Sequence, residues 1–150
     1  MTPHGLPSEI PPEFELALRQ LVDQLDAVDC AWIFGSAARN QAGALSDLDV
    51  AVLVREDLDP ARRAEIQGHI AGQLQTIGGP LVDVVVLNDA PPALQQRVLR
   101  DGRLVYCRQE ARRVRFEVRA LREFLDFQPV LERYDRMLFE RAREGRLGSR

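Results

Sequence analysis

The 150-residue chain reads as an α/β (α+β) protein: a small mixed β-sheet flanked by helices, with further helices at the C-terminus. Three observations predict this class. Short, almost wholly apolar runs stop at Gly or Pro, as buried strands do. The segments between and after them carry apolar residues at helical spacing. The resulting order is α, β, β, α, β, α and then helices. It is not a regular βαβ alternation, and no Gly-x-Gly-x-x-Gly follows a strand, which argues against a doubly wound dinucleotide-binding sheet.

Residues 1–12 carry four prolines and little pattern, and read as a flexible leader. Pro12 opens a helix with Leu16, Leu18, Leu21, Val22 and Leu25 at near-helical spacing, ending near Asp29. Ala31 to Phe34 is a strand stopped by Gly35. Residues 36–46 are small and polar, with Ala37 to Arg39 as one helical turn. Leu48 to Val54 is a second strand, rich in β-branched residues. Pro60 to Ile77 is a helix, Leu81 to Leu87 a third strand, 91–100 a short helix and Arg103 to Cys107 an edge strand. Residues 109 to about 144 are helical, with a break expected near Pro129 because the residue before proline avoids the helical region. The expected organisation is a leader (1–12), a core (13–108) and C-terminal helices (109–145) in the same domain.

Composition excludes several classes of function. Apolar residues are 45% and charged residues 29% of the chain, normal for a globular protein. No run approaches the ~20 apolar residues of a membrane helix, and residues 1–12 show no signal-peptide pattern. Two cysteines, Cys30 and Cys107, do not make a secreted-type disulfide framework. The expectation is a cytoplasmic protein without direct nucleic-acid binding, since net charge is −3. All 20 basic residues are Arg, so a P-loop lysine, a Schiff base and other lysine chemistry are excluded. Any nucleotide phosphate must be met by metal, Arg and backbone N–H groups.

Three carboxylates interrupt the apolar strands: Asp47, Asp49 and Asp83. Residues i and i+2 of a strand share a face, so Asp47 and Asp49 set two carboxylates side by side. Two negative charges that close repel unless a cation lies between them. If Asp83 comes from a neighbouring strand, three hard oxygen ligands converge, a set that suits Mg²⁺ and substrate phosphates. The plain alternative is that Asp47 and Asp49 only cap a strand end after the turn residue Ser46. Gly35-Ser36 weighs against it. Glycine lets a backbone approach a phosphate, and the serine hydroxyl and local N–H groups donate to its oxygens.

Gly35-Ser36, ten residues, then Asp47-Leu48-Asp49 resembles the signature of the DNA polymerase β-like nucleotidyltransferase superfamily. Asp83 lies where that superfamily places a third carboxylate. The stretches 35–39, 46–53, 82–88 and 99–106 resemble the minimal nucleotidyltransferase (MNT) family, and residues 123–129 resemble the tail of its MntA-like antitoxin branch. Asn40 stands where these proteins often have Gly.

The resemblance covers residues 13–140 and implies a polymerase β-like nucleotidyltransferase fold. It also implies an antitoxin that transfers AMP from ATP to a tyrosine of a HEPN-family (HepT-like) RNase toxin, in a hetero-oligomer with that toxin. It implies metal binding, with Mg²⁺ as two ions, by Asp47, Asp49 and Asp83. It further implies ATP binding by Gly35 and Ser36, with Arg39 and Ser46 as weaker phosphate or ribose contacts. Two alternatives remain open at this point: a non-catalytic antitoxin that occludes the toxin, and a small-molecule nucleotidyltransferase.

Other features have plain readings. Arg112, Arg113, Arg115, Arg119 and Arg122 read as a solvated face with i,i+4 ion pairs. Val114, Val118, Leu121 and Leu125 read as core, and so does Trp32. Val130, Leu131, Tyr134, Met137 and Leu138 form a second stripe, expected to serve as a toxin or self-association interface. Cys30 and Cys107 read as small buried residues rather than nucleophiles.

Overall fold

The computed structural model describes residues 10–35, 48–78 and 82–145. Helix α1 (Pro12–Asp23) leads into strand β1 (Val28–Phe34), followed by β2 (Leu48–Val54), α2 (Pro60–Gly78) and β3 (Val82–Val86). A single 3₁₀ turn (Leu87–Asp89), α3 (Pro92–Asp101), β4 (Arg103–Cys107) and α4 (Glu110–Arg143) complete the order. Each of the expected elements is present, but α1 stops at Asp23, short of Asp29, and β1 begins three residues before Ala31. Residues 1–9 of the expected leader and the turn at 37–39 lie outside the described residues, but the end of that leader is ordered: Ile10 packs against the core and Pro12 already opens α1.

The four described strands form one sheet in the order β3-β2-β1-β4. β1 pairs antiparallel with β2 and β4, and β2 pairs parallel with β3 through the α2 crossover. The sheet is mixed and β4 is an edge, as expected. Alternation along the strands divides two apolar clusters. On one side Ala31, Ile33, Val50, Val52, Val84 and Val86 pack with Leu18 and Val22 of α1 and with Ile66, Ile70 and Leu74 of α2. On the other side Cys30, Trp32, Phe34, Ala51 and Leu53 pack with Val98 of α3 and with Phe116 and Ala120 of α4. Both faces are covered, which is why β1 is buried along its whole length and reads as an unbroken apolar run.

Side chains finish what the ladders leave open. Asn88 Nδ2 donates to the Val54 carbonyl at 2.8 Å and its Oδ1 accepts from the Val54 N–H at 2.9 Å, so a side-chain amide extends the end of β2. The Arg108 guanidinium donates to the carbonyls of Val22, Asp23 and Leu25, closing the C-terminal end of α1.

Three expectations are corrected. α4 is one helix of 34 residues that runs through Pro129. Pro129 has no N–H to give the Leu125 carbonyl, but one missing bond does not end a helix with long runs on both sides. Val114, Val118, Leu121 and Leu125 are 45–52% exposed, not core. The buried stripe of α4 is instead Arg112, Phe116 and Ala120, nearly opposite them. Finally, Arg112 is not on a solvated face. Its buried side chain lies 3.4 Å from Asp29 and 3.2 Å from Glu56. The expected i,i+4 pairs do form from Arg113 to Glu117 and from Arg119 to Glu123. Among the described residues no helix is long and apolar enough to cross a membrane.

Candidate active site

One end of the sheet gathers the residues singled out by chemistry. β1 arrives there and ends at Phe34-Gly35; β2 and β3 both start there. The register sets Phe34 opposite Asp49, and Asp49 opposite Asp83. Asp49 and Asp83 are therefore neighbours across adjacent strands, about 4.8 Å apart along the hydrogen-bonding direction. Both lie on the α3/α4 face, in the rows that continue as Ala51 and Leu53 and as Val85. Asp83 is exposed and Asp49 half-buried, so this carboxylate pair opens to solvent.

Gly35 is fitted to that pair. Its φ of +82° lies in the left-handed region that side chains rarely adopt. A Cβ built on it would sit 2.2 Å from Asp49 Oδ2 and 3.1 Å from Asp49 Cγ. The backbone at the end of β1 thus rests directly against the Asp49 carboxylate, and only glycine leaves room for both.

The structure brings together Gly35, Asp49 and Asp83 from three strands. Ser36, Arg39, Ser46 and Asp47 lie outside the described residues. Among the described residues no group of three or more His, Cys, Asp or Glu is arranged to hold a metal ion. Asp49 and Asp83 supply two hard oxygen donors on one face, a partial set that fits Mg²⁺ and requires further ligands. Arg103, also at this sheet end, does not serve the site. It shares its side of β4 with Val105, which packs in the α1/α2 cluster, and it pairs with Glu15.

Sequence reasoning missed a thiol pair. Cys30 and Cys107 are partners in the β1–β4 register, and their Sγ atoms lie 3.7 Å apart as free thiols. Burial is the largest cause raising both thiols above their ordinary range. Both shifts favour the protonated thiol; Cys30 is buried as expected, whereas Cys107 is only half-buried. Only the strand order reveals their proximity. The opposite end of the sheet carries a shallow cleft of about 350 Å³ lined by Asp29, Arg55, Glu56, Asp57, Arg108 and Arg112. Its charges are largely paired with one another or with backbone carbonyls, a structural network rather than an open site.

Comparison with known proteins fits this geometry. Residues 17–111 match the family model "Polymerase beta, Nucleotidyltransferase". A curated relative, the protein adenylyltransferase MntA of Shewanella oneidensis, is 29% identical over 93 residues. That match spans 62% of this chain and 64% of the relative, just under two thirds of the relative's length. A toxin–antitoxin crystal structure with AMP-PNP superposes with a TM-score of 0.70 at 22% identity, covering 87% of this chain and 99% of that one. A second, of a tri-AMPylated Shewanella oneidensis HEPN toxin in complex with an MNT antitoxin, superposes at 0.63 and 20% identity, covering 84% and 98%. At these identities the superpositions establish a shared fold. The matched segment runs from α1 to the start of α4 and includes all three residues of the strand-end site, so the chain belongs to the polymerase beta nucleotidyltransferase family.

Proposed function

We propose that this chain transfers AMP from ATP to a tyrosine hydroxyl of a cognate HEPN-family RNase toxin and thereby silences it. The observation that carries the reading is the Asp49–Asp83 cross-strand pair with Gly35 packed against Asp49, at one sheet end of a nucleotidyltransferase fold. The curated relative is a protein adenylyltransferase, and a structural relative is an MNT antitoxin bound to a tri-AMPylated HEPN toxin, which favours a protein acceptor.

In the proposed reaction the phenolic oxygen attacks the α-phosphorus and the bond to the β-phosphate oxygen breaks. Pyrophosphate leaves with the bonding pair, and Asp83 assists removal of the phenolic proton. Gly35 and Ser36 hold the triphosphate through close backbone approach and N–H donation. Arg39 offsets phosphate charge and Ser46 adds a polar contact. Asp49 and Asp83, with Asp47, would hold Mg²⁺, which when bound supplies positive charge against the phosphates. Most of the acceleration then comes from positioning and charge stabilisation, as is general for phosphoryl-type transfer.

The test is an intact-mass spectrum of a cognate HEPN-family toxin after incubation with this chain, ATP and Mg²⁺. The reading requires mass gains in steps of one AMP that vanish with Asp47→Asn. A stable complex that silences the RNase with no mass gain would overturn it in favour of occlusion.

A further inference from the structure

α4 is much longer than the sheet it packs on. Its first turn lies at the sheet end remote from Asp49, where Arg112 meets Asp29, Glu56 and the Val54 carbonyl. β4 has arrived at that same end, so after Arg108 and Gln109 the chain reverses to lay Phe116 and Ala120 on the cluster that holds Trp32 and Phe34. Ala120 is the last buried residue of α4 among the described residues. The helix continues to Arg143, about 34 Å more at 1.5 Å per residue. A seven-residue strand is only about 23 Å long. The distal half of α4 therefore projects past the sheet. It leaves from the α3/α4 face, the face that carries Asp49 and Asp83.

This overhang is not polar all round. Phe124, Phe127, Leu131, Tyr134 and Leu138 follow at i, i+3, i+7, i+10 and i+14, in line with the buried stripe of Arg112, Phe116 and Ala120. Val130 and Met137 widen the stripe, and Phe127, Val130, Tyr134 and Met137 are each 40–53% exposed. A stripe that wide suits a groove between helices better than the narrow seam of two paired helices. The polar remainder of 126–143 balances Arg133, Arg136, Arg141 and Arg143 against Asp126, Glu132, Asp135 and Glu140, so it does not select a polyanion.

We infer that the distal half of α4 is the docking arm for the acceptor protein, seating the toxin so that its tyrosine reaches the Asp49–Asp83 edge. The inference rests on the function proposed above. A protein acceptor needs binding surface beyond the reacting hydroxyl, and among the described residues the distal α4 stripe is an extended apolar surface that departs from the site-bearing face.

The experiment titrates the purified toxin into the full chain by calorimetry and, in parallel, follows AMP transfer against toxin concentration. Phe127→Ala/Leu131→Asp and, separately, Tyr134→Ala are compared with wild type, with thermal melting to verify folding and an ATP–Mg²⁺ melting shift to verify the nucleotide site. Docking through the arm predicts at least tenfold weaker toxin binding and a KM for toxin raised by a similar factor, with the ATP–Mg²⁺ shift unchanged. Unchanged toxin affinity in both variants overturns the inference. So does a wild-type chain that sediments as a dimer and becomes monomeric in the variants while toxin binding is retained, because a second copy then occupies the arm. If wild type binds toxin through the arm but transfers no AMP, the docking inference stands and the proposed catalysis fails.

Discussion

A methyl group on Gly35 is the smallest change that damages the strand-end site. Gly35→Ala meets two obstacles at once, the positive φ and the Asp49 carboxylate. The backbone strain alone costs about 1–2 kcal/mol. We expect AMP transfer to fall at least tenfold with a modest loss in denaturant midpoint, because the collision displaces Asp49 rather than the core. Arg112 gives the opposite result. Arg112→Ala leaves Asp29 largely buried without its cation and should lower unfolding free energy by about 3 kcal/mol, with nucleotide binding intact in the folded fraction. Urea unfolding distinguishes the two variants. The sequence showed Gly35, Asp49 and Asp83 because each interrupts or ends an apolar strand with chemistry the strand does not need. Arg112 stayed hidden, since its burial depends on Asp29 and Glu56, which adjoin it only once the sheet has formed.

At the scale of elements, apolar runs located the strands well, since both sheet faces are covered and little alternation competes. α4 was harder to read. It has two apolar stripes, and periodicity cannot say which one meets the sheet; the stripe of Val114, Val118, Leu121 and Leu125 proved to be the outer one. Pro129 was read as a break, although the helix passes through it. Pro129→Ala restores an N–H for the Leu125 carbonyl and removes the ring clash, worth up to about 3 kcal/mol to the helix. Amide hydrogen exchange should show slower exchange confined to the distal half of α4. The β1–β4 pairing has a titration consequence of its own. Burial pushes the Cys30 and Cys107 thiols above their ordinary range in the fold, while unfolded thiols ionise within it. Folding stability is therefore fully present below that range and falls as pH rises through and above it. A thiol reagent at pH 8 should label the native protein far more slowly than the urea-unfolded chain.

At the scale of the whole molecule, the site exists only through topology. The antiparallel turn from β1 to β2 and the parallel crossover to β3 bring three strand ends to one edge, and a register shift of one residue would turn Asp83 to the α1/α2 side. The order β3-β2-β1-β4 is not written in any local pattern, which is why the sequence alone offered Asp83 only conditionally as a partner of Asp49. The measurement that tests this account most directly is the initial rate of AMP transfer to the toxin by Asp83→Asn, followed by intact mass at saturating ATP and Mg²⁺. The account predicts a rate roughly 100-fold or more below wild type with an unchanged melting temperature. A rate within about twofold of wild type would contradict it, since a carboxylate aligned with Asp49 merely by strand pairing, with no part in the chemistry, could be neutralised without such a loss.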